Sequence, residues 1–89
     1  MTVYISPNPG KPMAYGISQR AAQILMAHGA KVLMQMNLRE ECNTMGVQFL
    51  PQKECLEKTD VILTIGGDGT ILHEANLSLE YHKPILGIN

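Results

Sequence analysis

The sequence contains little cysteine, and its two cysteines are not spaced like a known site. Cys42 and Cys55 form neither a C-x-x-C redox pair nor a zinc-finger pattern. Free thiols are usual in the reducing cytosol, and an unpaired cysteine commonly packs as a small hydrophobic residue. We therefore expect both cysteines to be unpaired and structural, which argues against a disulfide framework or a cysteine-based metal site.

The chain also lacks an excess of charge of either sign and lacks a long apolar run. Its 7 lysines and arginines oppose 8 aspartates and glutamates, and the net charge is -1, so there is no global electrostatic reason to bind nucleic acid or anionic lipid. No stretch is long enough to span a bilayer, and the first residues do not resemble a signal peptide. We expect a cytoplasmic protein that contacts neither nucleic acid nor a membrane, which leaves small charged ligands open.

The sequence does contain apolar segments that alternate with glycine and proline. Its 89 residues, 45% of them hydrophobic, suit one small globular domain with a thin core. The predicted strands are 2–6, 31–36, 47–50, 60–65 and 84–88, and the predicted helices run from Pro12 to Gly29 and over 38–45, 52–58 and 70–79. Apolar strands that alternate with helices form βαβ units. The predicted fold class is α/β, with an open, mostly parallel sheet and helices on both faces.

Helical periodicity also predicts which side chains are buried. The predicted buried faces of the first and last helices consist of Ala14, Ile17, Ala21, Ile24 and Leu25, and of Ile71, Leu72, Ala75 and Leu79. Met34 and Met36 are expected to fill the core. His28 and His82 are expected on the surface or at helix ends, where the helix dipole favours histidine.

The segment DVILTIGGDGTILHEA, residues 60–75, carries the strongest functional pattern, because a glycine turn joins an apolar strand to a helix. Gly66 and Gly67 have no side chains to hold a phosphate or ribose away from the backbone, and consecutive glycines can direct several N–H groups into one concavity. Gly69 permits a positive φ, and Thr70 opens a helix whose free amides favour a phosphate group. The segment matches neither G-x-G-x-x-G nor Walker A, and it supplies no lysine. In open parallel sheets, ligands bind at the strand ends where such turns lie.

Asp68 lies in the middle of this turn, where a carboxylate would repel a phosphate unless it has a chemical role. It could accept a proton from an alcohol as a general base, or accept a hydrogen bond from a ribose hydroxyl. An Asp-Gly pair can also be a simple turn or helix entry. Three glycines around one aspartate after a buried strand favour the functional interpretations, and both suit a nucleotide-like substrate.

A second candidate pattern in the same helix fails. His73 and Glu74 begin an H-E-x-x-H motif, but Leu77 occupies the position of the second histidine, so a zinc-protease site is excluded. We predict no metal ligand among the residues of this chain.

GGDGT followed by ILHEA, with KPILGIN at the end, resembles the N-terminal domain of NAD kinases, and the resemblance covers essentially the whole chain. The opening SPNPGKPMA is compatible with the first loop of that family. GGDGT alone is shared with diacylglycerol and sphingosine kinases, and 6-phosphofructokinases have a close variant. Gly87, Ile88 and Asn89 favour NAD kinases, because lipid kinases typically continue this strand into a proline and a Gly-Thr-Gly-Asn stretch.

The resemblance implies transfer of a phosphoryl group from ATP, or in some members polyphosphate, to the 2′-hydroxyl of the adenosine ribose of NAD, with Mg²⁺ as cofactor. It also implies that Asp68 is the proton acceptor, that Asp68 and Gly69 contact NAD, and that His73 lies near the dinucleotide. The predicted nucleotide-binding residues are Gly66, Gly67, Asp68, Gly69, Thr70 and His73.

By the same resemblance, residues 1–89 form the Rossmann-like N-terminal half of a two-domain kinase. The second motif of the family, an Asn-Glu or Asn-Asp pair, and its C-terminal β-rich domain are not among these residues. We therefore expect this chain alone to be inactive, and the full-length protein to be a homo-oligomer that binds NAD and ATP. Two alternatives remain open: a lipid kinase of the diacylglycerol or sphingosine type, and a non-catalytic nucleotide-binding fragment.

Overall fold

The computed structural model describes residues 1–88, and for residues 68–73 it describes the helix to which they belong but not their side chains. The strands are β1 (Thr2–Pro7), β2 (Lys31–Gln35), β3 (Gln48–Leu50), β4 (Val61–Ile65) and β5 (Ile85–Ile88). The helices are α1 (Pro12–Ala27), α2 (Gln52–Lys58) and α3 (Asp68–Tyr81), and a 3₁₀ turn spans Met36–Leu38.

The five strands pair in parallel in the order β3-β2-β1-β4-β5. The sheet therefore grows from β1 through β2 to β3 on one side, and the chain then returns to place β4 and β5 on the other side. This is the order of the first five strands of a doubly wound dinucleotide-binding sheet. The predicted α/β class is confirmed, and every pairing in the described sheet is parallel.

Side chains that alternate along β1 divide the core between the two faces of the sheet. Val3 and Ile5 belong to a cluster on the α1 side, which also contains Ala14 and Ala22. Tyr4 belongs to the opposite cluster, formed with α2 and α3 through Cys55, Leu56, Leu77 and Tyr81. Helices therefore cover both faces, as predicted.

The buried face of α1 differs from the predicted one. Ala14, Ser18 and Ala22, spaced four residues apart, are buried, whereas Ile17 and Ile24 are 42% and 49% exposed. Apolar residues surround much of this helix, so their spacing did not select one face. The small side chains of α1 are buried, and the two isoleucines are substantially exposed.

Two further burial predictions were wrong. Leu79 is 76% exposed, because α3 packs against the core through Leu77 and Tyr81 instead. Met36 is 54% exposed because β2 ends one residue earlier and Met36 begins the 3₁₀ turn, whereas Met34 is fully buried as expected.

The helix predicted over 38–45 is absent from the described chain. The structure has the short 3₁₀ turn Met36–Leu38 and then irregular turns up to Gly46, which has a φ of 93°. Side chains such as those of Asn43 and Thr44 compete for backbone hydrogen bonds and so disfavour a helix. The apolar spacing in this segment reflects packing of single residues rather than a helical face.

Cys42 and Cys55 are both free and fully buried, which confirms that they are unpaired. Burial raises the pKa of both thiols, to about 11 for Cys55. His28 and His82 occupy the C-terminal caps of α1 and α3, also as expected. No described helix is long and apolar enough to cross a membrane.

Candidate functional site

The candidate site lies where β1 and β4 end side by side. These strands are neighbours, and Pro7 at the end of β1 pairs with Ile65 at the end of β4. The chain leaves β1 for α1 on one face of the sheet and leaves β4 for α3 on the other. A crevice opens where consecutive connections diverge in this way, and in open parallel sheets it is the usual position of a ligand.

The turn between β4 and α3 requires glycine at Gly66. This residue has a φ of 118°, and a Cβ atom there would lie 2.7 Å from the Cβ of Asn8 and 3.3 Å from that of Ala14. Its N–H donates to the carbonyl of Ile88 at 2.9 Å. The sheet therefore already uses the Gly66 amide, and contact between Gly66 and a ligand remains a prediction.

Gly67 forms the N-cap of α3, with a φ of 124° and an extended ψ of -177°. This conformation is easily reached only by glycine. The following residues Asp68, Gly69 and Thr70 form the first turn of α3, and His73 follows in the same helix. The side chains of residues 68–73 lie outside the described residues, as does Asn89, so their predicted roles remain predictions.

Asn8 connects the loop after β1 to the turn after β4. Its backbone N–H donates to the carbonyl of Ile65 at 2.7 Å, and its side-chain Nδ2 donates to the carbonyl of Gly66 at 3.2 Å. Its Oδ1 accepts a hydrogen bond from the N–H of Gly10 at 2.9 Å. One side chain thus fixes the shape of its own loop and holds that loop against the glycine turn.

The same loop brings Lys11 to the glycine turn. Its Nζ lies 3.6 Å, and its Cε 3.8 Å, from the position that a Cβ on Gly67 would take. The backbone of Lys11 is held on both sides, because its N–H donates to Asn8 O at 3.1 Å and its carbonyl accepts from the N–H of Ala14 at 2.9 Å. A lysine from another loop therefore lies beside the glycine segment, which contains none.

Sequence reasoning missed Lys11, although the sequence contained a usable signal. The PNPGKP loop follows the first strand as GGDGT follows the fourth. Carboxyl ends of parallel strands meet at one edge of a sheet, so any two such loops are candidates to share a site. The missing information was that β1 and β4 are neighbours.

A cavity of about 400 Å³ lies between α1 and the glycine turn. Met13, Ala14, Ile17 and Ile65 contribute its apolar lining, and the remaining lining residues are Lys11, Gly66 and Gly67. The volume falls within the range of small-molecule pockets, which are mostly apolar with a few polar groups that orient the ligand. This combination suits a ligand that carries both a phosphate and an apolar ring.

A buried carboxyl group lies beneath the site. Glu74 of α3 is only 2% exposed, and its Oε1 accepts a hydrogen bond from the Oγ of Ser6 at 3.0 Å. Ser6 lies near the end of β1, next to the loop that carries Asn8 and Lys11. The bond therefore joins the first half of α3 to the strand that leads into the opposite wall of the site.

A parallel sheet with a glycine turn at its diverging connections, beside a cavity with a lysine in its lining, is typical of nucleotide-binding α/β domains. The family description "ATP-NAD kinase N-terminal domain" matches residues 3–89 of this chain. The chain therefore belongs to the NAD kinase family and corresponds to its N-terminal domain. The resemblance inferred from GGDGT and its flanking residues is confirmed.

Relatives and a solved structure agree with this assignment. The chain is 40% identical over 82 residues to the NAD kinase of Methanothermobacter thermautotrophicus, covering 85% of this chain and 26% of that protein. It is 33% identical over 90 residues to the NAD kinase of Halorhodospira halophila, covering 99% of this chain and 29% of that protein. The crystal structure of yeast NADH kinase complexed with NADH has the same fold, with a TM-score of 0.71 at 22% identity, covering 98% of this chain and 30% of that one. The chain thus spans less than a third of the length of the proteins it matches.

Proposed function

We propose that the full-length protein containing this domain transfers a phosphoryl group from ATP to the 2′-hydroxyl of the adenosine ribose of NAD, giving NADP. The observation that carries this proposal is the family match over residues 3–89, joined to a glycine turn at the diverging end of β1 and β4. Polyphosphate is the second donor class consistent with the family. The lipid-kinase alternative is not favoured, since the named relatives are NAD kinases.

In the proposed reaction, Asp68 accepts the proton of the ribose 2′-hydroxyl as the oxygen attacks the terminal phosphorus of ATP. The O–H bond breaks, a new O–P bond forms, and the bond to the bridging oxygen breaks so that ADP leaves. Phosphoryl transfer depends mainly on positioning and on charge stabilisation. We propose that Asp68 and Gly69 contact NAD, that Gly66, Gly67 and Thr70 shape the turn around it, and that His73 lies beside the dinucleotide.

Magnesium is the cofactor that the family implies. The described residues bring together no group of three or more His, Cys, Asp or Glu side chains that could hold a metal ion. Mg²⁺ in nucleotide sites is commonly bound by one or two carboxylates together with substrate phosphates. We therefore assign no protein ligand for magnesium among the described residues.

We further propose that the protein works in the cytoplasm as a homo-oligomer, without nucleic-acid or membrane partners. The two free, buried cysteines support a cytoplasmic location, and the net charge of -1 supports the lack of nucleic-acid and membrane partners. Catalysis belongs to the longer chain, because this domain corresponds to 26% and 29% of its two relatives. One wall of a crevice can neither exclude water nor align two substrates.

The test is NADP formation by the full-length protein with NAD, ATP and Mg²⁺. Asp68→Asn should reduce turnover by roughly 10² to 10⁴ while NAD binding changes far less. Asp60→Asn is the matched control, since Asp60 lies at the opposite end of β4, where its carboxylate accepts a hydrogen bond from the N–H of Thr2 at 2.7 Å. Near wild-type turnover by Asp68→Asn would remove Asp68 from the mechanism, and phosphorylation of diacylglycerol or sphingosine in place of NAD would overturn the assignment.

A further inference from the structure

We infer that Lys11 is the phosphate-binding cation of this site, and that the cavity beside it holds the nucleoside to which that phosphate belongs. The inference rests on the proposed function and adds a residue outside the GGDGT segment. Two sources of phosphate are compatible with it, namely the phosphoryl donor and the diphosphate of NAD.

The position of the ammonium group is the first observation. Nζ of Lys11 lies 3.6 Å from where a Cβ on Gly67 would be, so a side chain at Gly67 would reach the lysine. Because glycine has no side chain, this space is free for a ligand. Gly67 is also the N-cap of α3, so the amino-terminal end of the helix lies at the same place. A lysine ammonium and helix amides both attract phosphate oxygens.

The way in which the loop is held is the second observation. Asn8 fixes the loop to the carbonyls of Ile65 and Gly66, and Lys11 is itself the N-cap residue of α1. The backbone on both sides of Lys11 is hydrogen-bonded. A lysine on such a backbone loses less conformational entropy when it binds a phosphate than one on a free loop does.

The apolar lining is the third observation. Met13 and Ile17 are 79% and 42% exposed although they line the cavity. A nucleoside stacked on these side chains would remove apolar surface from water while its phosphate reaches Lys11. A free inorganic phosphate would use the lysine but leave this lining uncovered, so a nucleotide fits the whole cavity better.

The test is made on the full-length enzyme, with KM for ATP and KM for NAD measured separately in Lys11→Ala and Lys11→Arg. Lys31→Ala is the matched control, because Lys31 is also exposed but begins β2, at the amino-terminal ends of the parallel strands, away from the site at their carboxyl ends. Lys11→Ala should raise one of the two KM values by about tenfold to a hundredfold, the size expected for loss of a charged hydrogen bond. Lys11→Arg should recover part of the loss, and Lys31→Ala should change neither value.

The affected substrate identifies the source of the phosphate. A raised KM for ATP alone assigns Lys11 to the donor, and a raised KM for NAD alone assigns it to the dinucleotide. Two unchanged KM values in Lys11→Ala would overturn the inference. It would also be overturned if KM stayed constant while the acidic limb of the pH–rate profile moved, since Lys11 would then act on the Asp68 carboxylate.

Failure of the proposed function would be seen separately, as absence of NADP formation by the wild-type enzyme. In that case, calorimetric titration with ATP and with NAD replaces the kinetic readout. Binding of either nucleotide to wild type that is weakened at least tenfold in Lys11→Ala supports the inference. Equal binding to both proteins, or no binding to either, overturns it.

Discussion

Nδ2 of Asn8 and the carbonyl oxygen of Gly66, 3.2 Å apart, form a side-chain hydrogen bond between the loop after β1 and the turn after β4. The residues are 58 positions apart in the sequence. The bond holds the loop that carries Lys11 against the turn that leads to Asp68. The geometry of the site therefore depends on a side chain of the PNPGKP loop, outside the GGDGT segment.

Asn8→Asp should separate the two functions of this side chain. An aspartate can still accept the hydrogen bond from Gly10, but it cannot donate to Gly66 and it places negative charge beside a carbonyl oxygen. We expect the free energy of unfolding to fall by about 1–3 kcal/mol and the substrate bound by Lys11 to bind more weakly. Urea unfolding and KM measurements on the full-length protein test this. Asn37→Asp, in the exposed 3₁₀ turn, makes the same charge change and should alter neither quantity.

Gly66→Ala should destabilise the protein because the added methyl group meets Asn8 and Ala14. A non-glycine residue at this positive φ costs about 1–3 kcal/mol even without a clash. Gly16→Ala is the control: it lies within α1, nothing is within 4 Å of the added Cβ, and the change should stabilise by roughly 0.5–1 kcal/mol. Urea midpoints that shift in the same direction for both variants would contradict this account.

Two buried serines provide a further matched comparison. Ser6 donates to the buried carboxyl of Glu74, so Ser6→Ala should lower the free energy of unfolding by about 1–3 kcal/mol. The hydroxyl of Ser18 is also buried but has no hydrogen-bond partner within the described chain. Ser18→Ala should therefore be neutral or slightly stabilising, since it removes a desolvated polar group. Equal losses in thermal unfolding of the two variants would show that the Ser6 bond adds nothing.

Stability should decline at high pH because of two buried acids. Burial raises the pKa of Cys55 to about 11 and that of Tyr4 to about 12, from ordinary values of 9.0 and 10.0. The unfolded chain loses these protons first, so this contribution to stability is complete below pH 9. It is lost between about pH 9 and 11 for Cys55 and between about pH 10 and 12 for Tyr4.

The expected loss in the free energy of unfolding is about 3 kcal/mol for each group, since the acidity of each group is lowered about a hundredfold and each tenfold change corresponds to about 1.4 kcal/mol. Tyr4→Phe isolates one of the two contributions. This variant loses the hydrogen bonds that Gln35 and Gln52 donate to the Tyr4 hydroxyl. Its free energy of unfolding should therefore be lower than that of wild type at pH 8, yet it should fall less above pH 10. Parallel curves of unfolding free energy against pH for wild type and Tyr4→Phe would exclude Tyr4 from this effect.

The sequence was informative where the signals were local. The strand Val61–Ile65, a glycine turn and the helix that follows are all encoded within one segment, although the sequence assigned the positive φ to Gly69 and the structure shows it at Gly66 and Gly67. A single stretch with a strand pattern, a glycine turn and a helix start predicts its own structure because every interaction needed is close in sequence.

The sequence was less informative where the answer depended on which strands are neighbours. Lys11 could be linked to Gly67 only by knowing that β1 and β4 pair, and β-pairing has no local signal. Glu74 resembles an ordinary exposed helical residue until Ser6, 68 positions away, is placed beneath it. Ile17 was predicted to be buried because apolar periodicity reports amphipathicity but does not choose between two adjacent apolar faces.

The pairing of β1 with β4 also sets a problem for the growing chain during translation. Val3 pairs with Val61, so β1 leaves the ribosome long before one of its two neighbours exists. Synthesis at about 5–20 residues per second leaves that edge of β1 with open N–H and C=O groups for several seconds, ready to pair with another nascent chain. In the finished domain this edge lies in the middle of the sheet, so it needs shielding from other chains only until β4 has been made.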